Sequence, residues 1–221
     1  MKKIKLISFL VFVNLCFTSL YAQTNGLAGN FLREQHTGDW VLGFGVNIVE
    51  DGGSGDFSEI FDKSSSHFSN PFILSAEYYT NNHFSFNTSL SFNKYLTGKS
   101  VDSGIIPEGA EPIYMALDVS SKYSFRELLK SESFEPYVLL GAGYTNIGSH
   151  TSSFDGRLTQ IPSIGRMTVN GGFGANYWFS EKWGLNLNFL AKQGVKSGKY
   201  KAYITGQTQF SISALYRFKK K

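Results

Sequence analysis

Five charged residues stand where charge is costly. Glu77, Asp118, Lys122, Lys192 and Arg217 each interrupt a stretch in which apolar and small polar residues alternate. Two carboxylates and three cations could do acid–base work, or they could pair with one another. Catalysis asks for a cleft, a nucleophile or a metal beside the carboxylates, and none is legible near Glu77 or Asp118. The histidines, His36, His67, His83 and His150, lie far apart without metal-ligand spacing. The run Glu50-Asp51-Gly52-Gly53-Ser54-Gly55-Asp56 lacks the spacing of a calcium loop. Gly-x-Gly occurs at Gly43 and Gly45, Gly141 and Gly143, and Gly172 and Gly174, but never at a strand-to-helix junction, so a phosphate cradle is not indicated. Asn87-Thr88-Ser89 matches a glycosylation sequon but falls inside a strand. No catalytic group, metal or cofactor is expected. What remains is an ionic network: buried charges must pair, so Glu77 and Asp118 are expected to meet Lys122, Lys192 or Arg217 in a mixed network.

The elements that position these charges are strands. In residues 209–218, Phe210, Ile212, Ala214, Tyr216 and Phe218 fall on one face, and Gln209, Ser211, Ser213, Leu215 and Arg217 on the other, because strand side chains alternate with a period of two. The same pattern recurs at 39–49, about 72–79, 83–95, 113–125, 136–146, 167–179 and 183–192. It places all five charges on the polar face. About ten residues is the length of a tilted membrane-crossing strand. The connections alternate in length: 50–70, 96–112, 147–166 and 193–204 are long, while the rest are short, one of them carrying a helical turn at 126–130. That order predicts an all-β fold, an eight-stranded antiparallel up-and-down transmembrane β-barrel over 39–218. Both termini then lie on the short-turn rim, which would face the periplasm. An even strand number closes without a bare edge, which lipid would not tolerate.

Alternation alone does not say which face is inside. A water-facing surface should be rich in Lys, Glu and Thr, whereas the polar face here is mainly Gly, Ser and Asn, as in a crowded lumen. Trp40, Tyr78, Phe84, Tyr123, Tyr177, Trp183, Tyr216 and Phe218 gather near strand ends, where an interfacial aromatic girdle belongs. Only 17% of residues are charged, against about a quarter in soluble domains, while 20 are Phe, 12 Tyr and 23 Gly. The apolar face therefore meets lipid.

Three groups of residues carry a family resemblance: Trp40-Val41-Leu42-Gly43-Phe44-Gly45-Val46-Asn47, Phe134-Glu135-Pro136-Tyr137-Val138 with Gly141-Ala142-Gly143-Tyr144-Thr145, and Tyr177 through Asn186, joined by the final Tyr216-Arg217-Phe218. On them the chain resembles the N-terminal barrel of the outer-membrane protein A (OmpA) family in its Bacteroidetes-type form. Full-length members continue into a periplasmic peptidoglycan-binding domain, whereas this sequence ends at Lys219-Lys220-Lys221. The resemblance implies a membrane barrel but no cell-wall anchor. The lumen charges read first as a plug that holds the barrel shut and in register. The alternative, implied by the resemblance to OmpA-type barrels, is a gate whose pairs rearrange to admit ions.

Processing and charge set the remaining bounds. Lys2, Lys3 and Lys5 precede an apolar run, and Ala22 precedes a cut, so 1–22 read as a secretory signal peptide and 23–38 as a periplasmic lead-in. Leu15 before Cys16 is too bulky for a lipobox. Without the three signal lysines the net charge falls from +4 to +1 (4 − 3 = 1), which gives no nucleic-acid footprint. The expected partners are outer-membrane lipid, the barrel-assembly machinery through the C-terminal strand, and an extracellular ligand on the long loops. Apolar loop residues Phe57, Ile60 and Phe61, and Ile105, Ile106 and Pro107, are expected to pack on one another, the alternative being contact with a partner. The functional reading is a non-enzymatic envelope protein with a structural or surface-interaction role. The alternatives are a narrow gated pore for ions or small solutes and an accessory subunit of a secretion or assembly complex.

Overall fold

The structure, a computed structural model, describes residues 37–50, 68–98, 100–101, 104–195 and 206–219. The signal segment with Cys16, the lead-in up to His36, the acidic run from Asp51, Phe57, Ile60, Phe61, His67 and the last two lysines lie outside the described residues.

Eight strands, β1 (Trp40–Glu50), β2 (Phe68–Tyr79), β3 (Phe84–Tyr95), β6 (Ile113–Ser124), β7 (Phe134–Ile147), β10 (Ile164–Trp178), β11 (Trp183–Gly194) and β12 (Gly206–Phe218), form a closed barrel. Each is antiparallel to its barrel neighbours, and β1 pairs with β12 from Trp40↔Phe218 to Glu50↔Thr208, so the last strand seals the first. Closure gives every strand two hydrogen-bonded flanks, as hydrocarbon demands. The period-two pattern does the sorting. Along β1, Trp40, Leu42, Phe44 and Val46 are exposed on the outside, while Val41, Asn47 and Val49 are buried within.

Strand ends differ from the sequence reading in instructive places. β2 starts at Phe68 rather than Phe72, because the ladder with β3 continues across a register shift between Ser69 and Phe72. Pro71 lies in that shift; it lacks an N–H to donate and marks an apparent strand start. β7 and β10 each begin earlier and rise further than predicted, so residues 147–166 are not an open loop. They hold a hairpin of β8 (His150–Phe154) and β9 (Arg157–Ile161). Its two-residue turn has Asp155 at φ 49° and Gly156 at φ 78°, the paired positive φ of a hairpin turn matched to strand twist. Segment 96–112, also expected to be a loop, contains β4 (Ser100–Val101) and β5 (Gly104–Ile105). Ile105 pairs with Ser153 of β8, and the four short strands make a second sheet in the order β4-β5-β8-β9 at the long-connection rim. A single helical turn, α1 (Arg126–Leu129), ends at Lys130 in the left-handed conformation within a short connection.

Candidate functional site

The inside of the barrel is where the chemistry-bearing residues converge, and it is layered. Nearest the short-turn rim, Glu135 on β7 is buried and its Oε2 accepts from Tyr79 Oη (3.0 Å), Trp178 Nε1 (3.0 Å) and Asn176 Nδ2 (3.2 Å). Asn186 Nδ2 donates to Asn176 Oδ1 and to Tyr137 Oη, both at 2.7 Å, which carries the network up the wall. Arg217 on β12 lies in this layer, with its guanidinium carbon 3.7 Å from the Trp178 ring centroid and 6.0 Å from that of Tyr79.

Further in, Lys122 Nζ donates to Glu77 Oε2 at 2.7 Å and sits 4.4 Å from the Tyr137 ring centroid. Ser85, directly opposite Lys122 in register, donates from its Oγ to Glu77 Oε1. Beyond this, Lys192 Nζ donates to Asp118 Oδ2 at 2.5 Å. Asn170 Nδ2 donates to Asp118 Oδ1 at 2.7 Å, and the Tyr114 hydroxyl lies 3.4 Å from Lys192 Nζ. Room for this pair comes from Gly143, opposite Asp118 on β7, where a Cβ would run into the carboxylate and stand 2.9 Å from Asn170 Nδ2. Gly174 likewise leaves space for the Tyr137 hydroxyl.

The long-connection end carries an apolar cluster. Val49, Tyr95, Tyr114, Ala116 and Ile147 pack with Ile106 from the segment after β5 into a buried apolar cluster, and Ala110 and Ile164 pack against it. Ile106 therefore packs inward, Pro107 is half-buried and Ile105 is exposed on the second sheet. Below the cluster Asn47 Nδ2 donates to Asn93 Oδ1 (2.7 Å), and Gln209 Nε2 donates to Ser91 Oγ (3.0 Å).

The five predicted charges are all buried inside, and each carboxylate meets one of the expected lysines: Glu77 pairs with Lys122 and Asp118 with Lys192, each with its own polar neighbours. Arg217 joins neither; it rests on aromatic faces. Glu135 lies one residue before the strand that the alternation predicts over 136–146, so the inward series Glu135, Tyr137, Leu139 on β7 is missed at its first member. The eight predicted girdle aromatics all lie at the short-turn rim, in cross-strand neighbours: Trp40 against Tyr78 (ring centroids 5.0 Å), Phe84 against Tyr123 (5.1 Å) and Trp183 against Tyr216 (4.8 Å), with Phe218 4.8 Å from Tyr216. Tyr177 is exposed on the same belt. Among the described residues no group of His, Cys, Asp and Glu could hold a metal ion. His150 instead holds the Gly148 carbonyl through Nδ1 at 2.9 Å.

A closed barrel with an apolar outside, an aromatic belt at one rim and a hydrogen-bonded polar inside is a transmembrane β-barrel. The family model of the outer membrane protein beta-barrel domain matches residues 12–218, and the chain belongs to this family of multi-pass outer-membrane barrels. Among solved structures, it is similar to the N-terminal β-barrel domain of Pseudomonas aeruginosa OprF (TM-score 0.50, 14% identity, covering 84% of this chain and 100% of that one). It is also similar to the outer membrane protein OprG of Pseudomonas aeruginosa (0.50, 13%, 83% and 97%) and to Ail, the attachment invasion locus protein of Yersinia pestis (0.49, 16%, 82% and 99%). At these identities the likeness is one of fold. Among curated proteins none matches the sequence.

Proposed function

We propose that the protein is a closed membrane anchor that presents its second sheet at the cell surface, a structural or surface-interaction role. The observation that carries this reading is the filled lumen. Two buried ion pairs stand in series beneath a fully buried apolar cluster, so the interior is packed rather than open. The four-stranded sheet stands at the opposite rim from the short turns and supplies a surface that the barrel itself does not need. The long-connection rim faces outward and both termini face the periplasm, the arrangement of barrels with short periplasmic turns. The second sheet is then where an extracellular ligand would be met, and the C-terminal strand ending at Phe218 is what the barrel-assembly machinery engages.

Planar-bilayer recording of heat-modifiable, folded protein tests the anchor reading. The expected record is silent. Discrete conductance steps that change when Glu77 or Lys192 is neutralised would overturn it in favour of a gated pore, with the two pairs as the gate.

A further inference from the structure

The layer at the short-turn rim contains a mismatch. The Glu135 carboxylate is met by three neutral donors, Tyr79, Asn176 and Trp178. The charge of Arg217 is met by two aromatic faces. The two charges do not meet each other. Arg217 is only 4% exposed, yet among the described residues its Nε and Nη2 have no hydrogen-bond partner. These are the two donors on one edge of the guanidinium, the edge that grips a carboxylate or phosphate side-on through two parallel hydrogen bonds. Buried polar groups are almost always satisfied, and an unsatisfied pair on one edge calls for an occupant.

We propose that this edge is an oxyanion site. A carboxylate or phosphate group enters the short-turn end of the lumen and is held bidentately by Arg217, with Trp178 and Tyr79 fixing the plane of the guanidinium. The aromatic stacking matters because it sets the fork before the ligand arrives, so little side-chain freedom is lost on binding. Lysine would keep the charge but lose the fork. The second residue from the end of β12 is also a natural doorway: Arg217 is inside the wall yet one step from the rim, beside Val41 of β1. Val41 is flanked in register by Arg217 on one side and Glu77 on the other, so the site borders the Glu77–Lys122 pair but uses neither of its members.

Trp178 is the reporter, since it is buried beneath Arg217 while Trp40 and Trp183 are half-exposed on the outside. The protein carrying Trp40→Phe and Trp183→Phe, folded in micelles, is titrated with inorganic phosphate and separately with acetate at constant ionic strength, with chloride as control. A saturable change in Trp178 fluorescence with phosphate or acetate but not chloride is expected. Arg217→Gln should abolish it, and Arg217→Lys should weaken it about tenfold, the difference between a fork and a point charge. No saturable change, or an unchanged response in folded Arg217→Gln, would overturn the proposal; the second outcome means an adventitious ion only. Should the variants not fold, the Nε–H resonance of Arg217 in the otherwise native chain decides: it must shift saturably with phosphate, and a stationary resonance overturns the site.

Discussion

At the scale of single residues, the lumen pairs obey an asymmetry of buried charge. Taking Glu77 and Lys122 out of water costs several kcal/mol per ion, and their mutual hydrogen bond together with Ser85 offsets it. Removing one partner strands the other. Glu77→Gln alone, or Lys122→Met alone, should therefore destabilise the barrel by about 3–5 kcal/mol, while the double variant Glu77→Gln/Lys122→Met should cost much less than the two singles summed. Urea unfolding in micelles measures this, and strictly additive losses would mean that the pair is not coupled. The sequence displayed the charges but not their partners. Alternation says that Glu77 and Lys122 point inward; which cation meets which carboxylate depends on strand stagger around the closed barrel, and that is a property of all eight strands together. Arg217 shows the limit most clearly. A lone guanidinium on a polar face reads as half of an ion pair, yet here Trp178 and Tyr79 take that place.

At the scale of elements, the barrel strands were legible because each carries its own two-residue period, and the aromatic belt marks where several of them end. The second sheet was not, because its strands β4 and β5 are two residues each and the pairing that ties them to the rest, Ile105 of β5 with Ser153 of β8, joins distant parts of the chain. Nothing local announces a pairing of that kind. One local signal did exist. Asp155-Gly156 flanked by short β-prone runs is a strong hairpin mark, and the positive φ at both positions shows what it encodes. The sheet's dependence on that turn is testable. Gly156→Val puts a β-branched side chain at φ 78°, a left-handed conformation that costs such residues about 1–2 kcal/mol. Amide exchange across 150–161 should then speed up by about tenfold while the barrel keeps its heat-modifiable mobility on a gel. Unchanged exchange would show that the strands are held by β5 and the rim rather than by the turn.

At the scale of the whole molecule, the protein is turned inside out relative to a soluble domain, and exposure alone therefore says little about what a residue costs to change. Leu140 and Leu128 make the point. Both are largely exposed, at 69% and 72%, and in a water-soluble protein both would accept a charge with little consequence. Leu140 lies at the middle of β7 on the outer face, opposite Ser121 of β6 and Gly171 of β10. Leu128 lies in α1, beyond the end of β6. If the outer face meets hydrocarbon, Leu140→Arg places a guanidinium near the bilayer midplane and should cost about 2–4 kcal/mol, whereas Leu128→Arg sits at or past the interface and should cost about 0–1 kcal/mol. Reversible unfolding from lipid vesicles measures both on one scale. Equal, small losses would mean that the girdle does not mark a membrane boundary and that the apolar face is covered by something other than lipid. A large loss confined to Leu140 ties the aromatic belt, the length of the strands and the closed ladder to a single cause, the thickness of the membrane they cross.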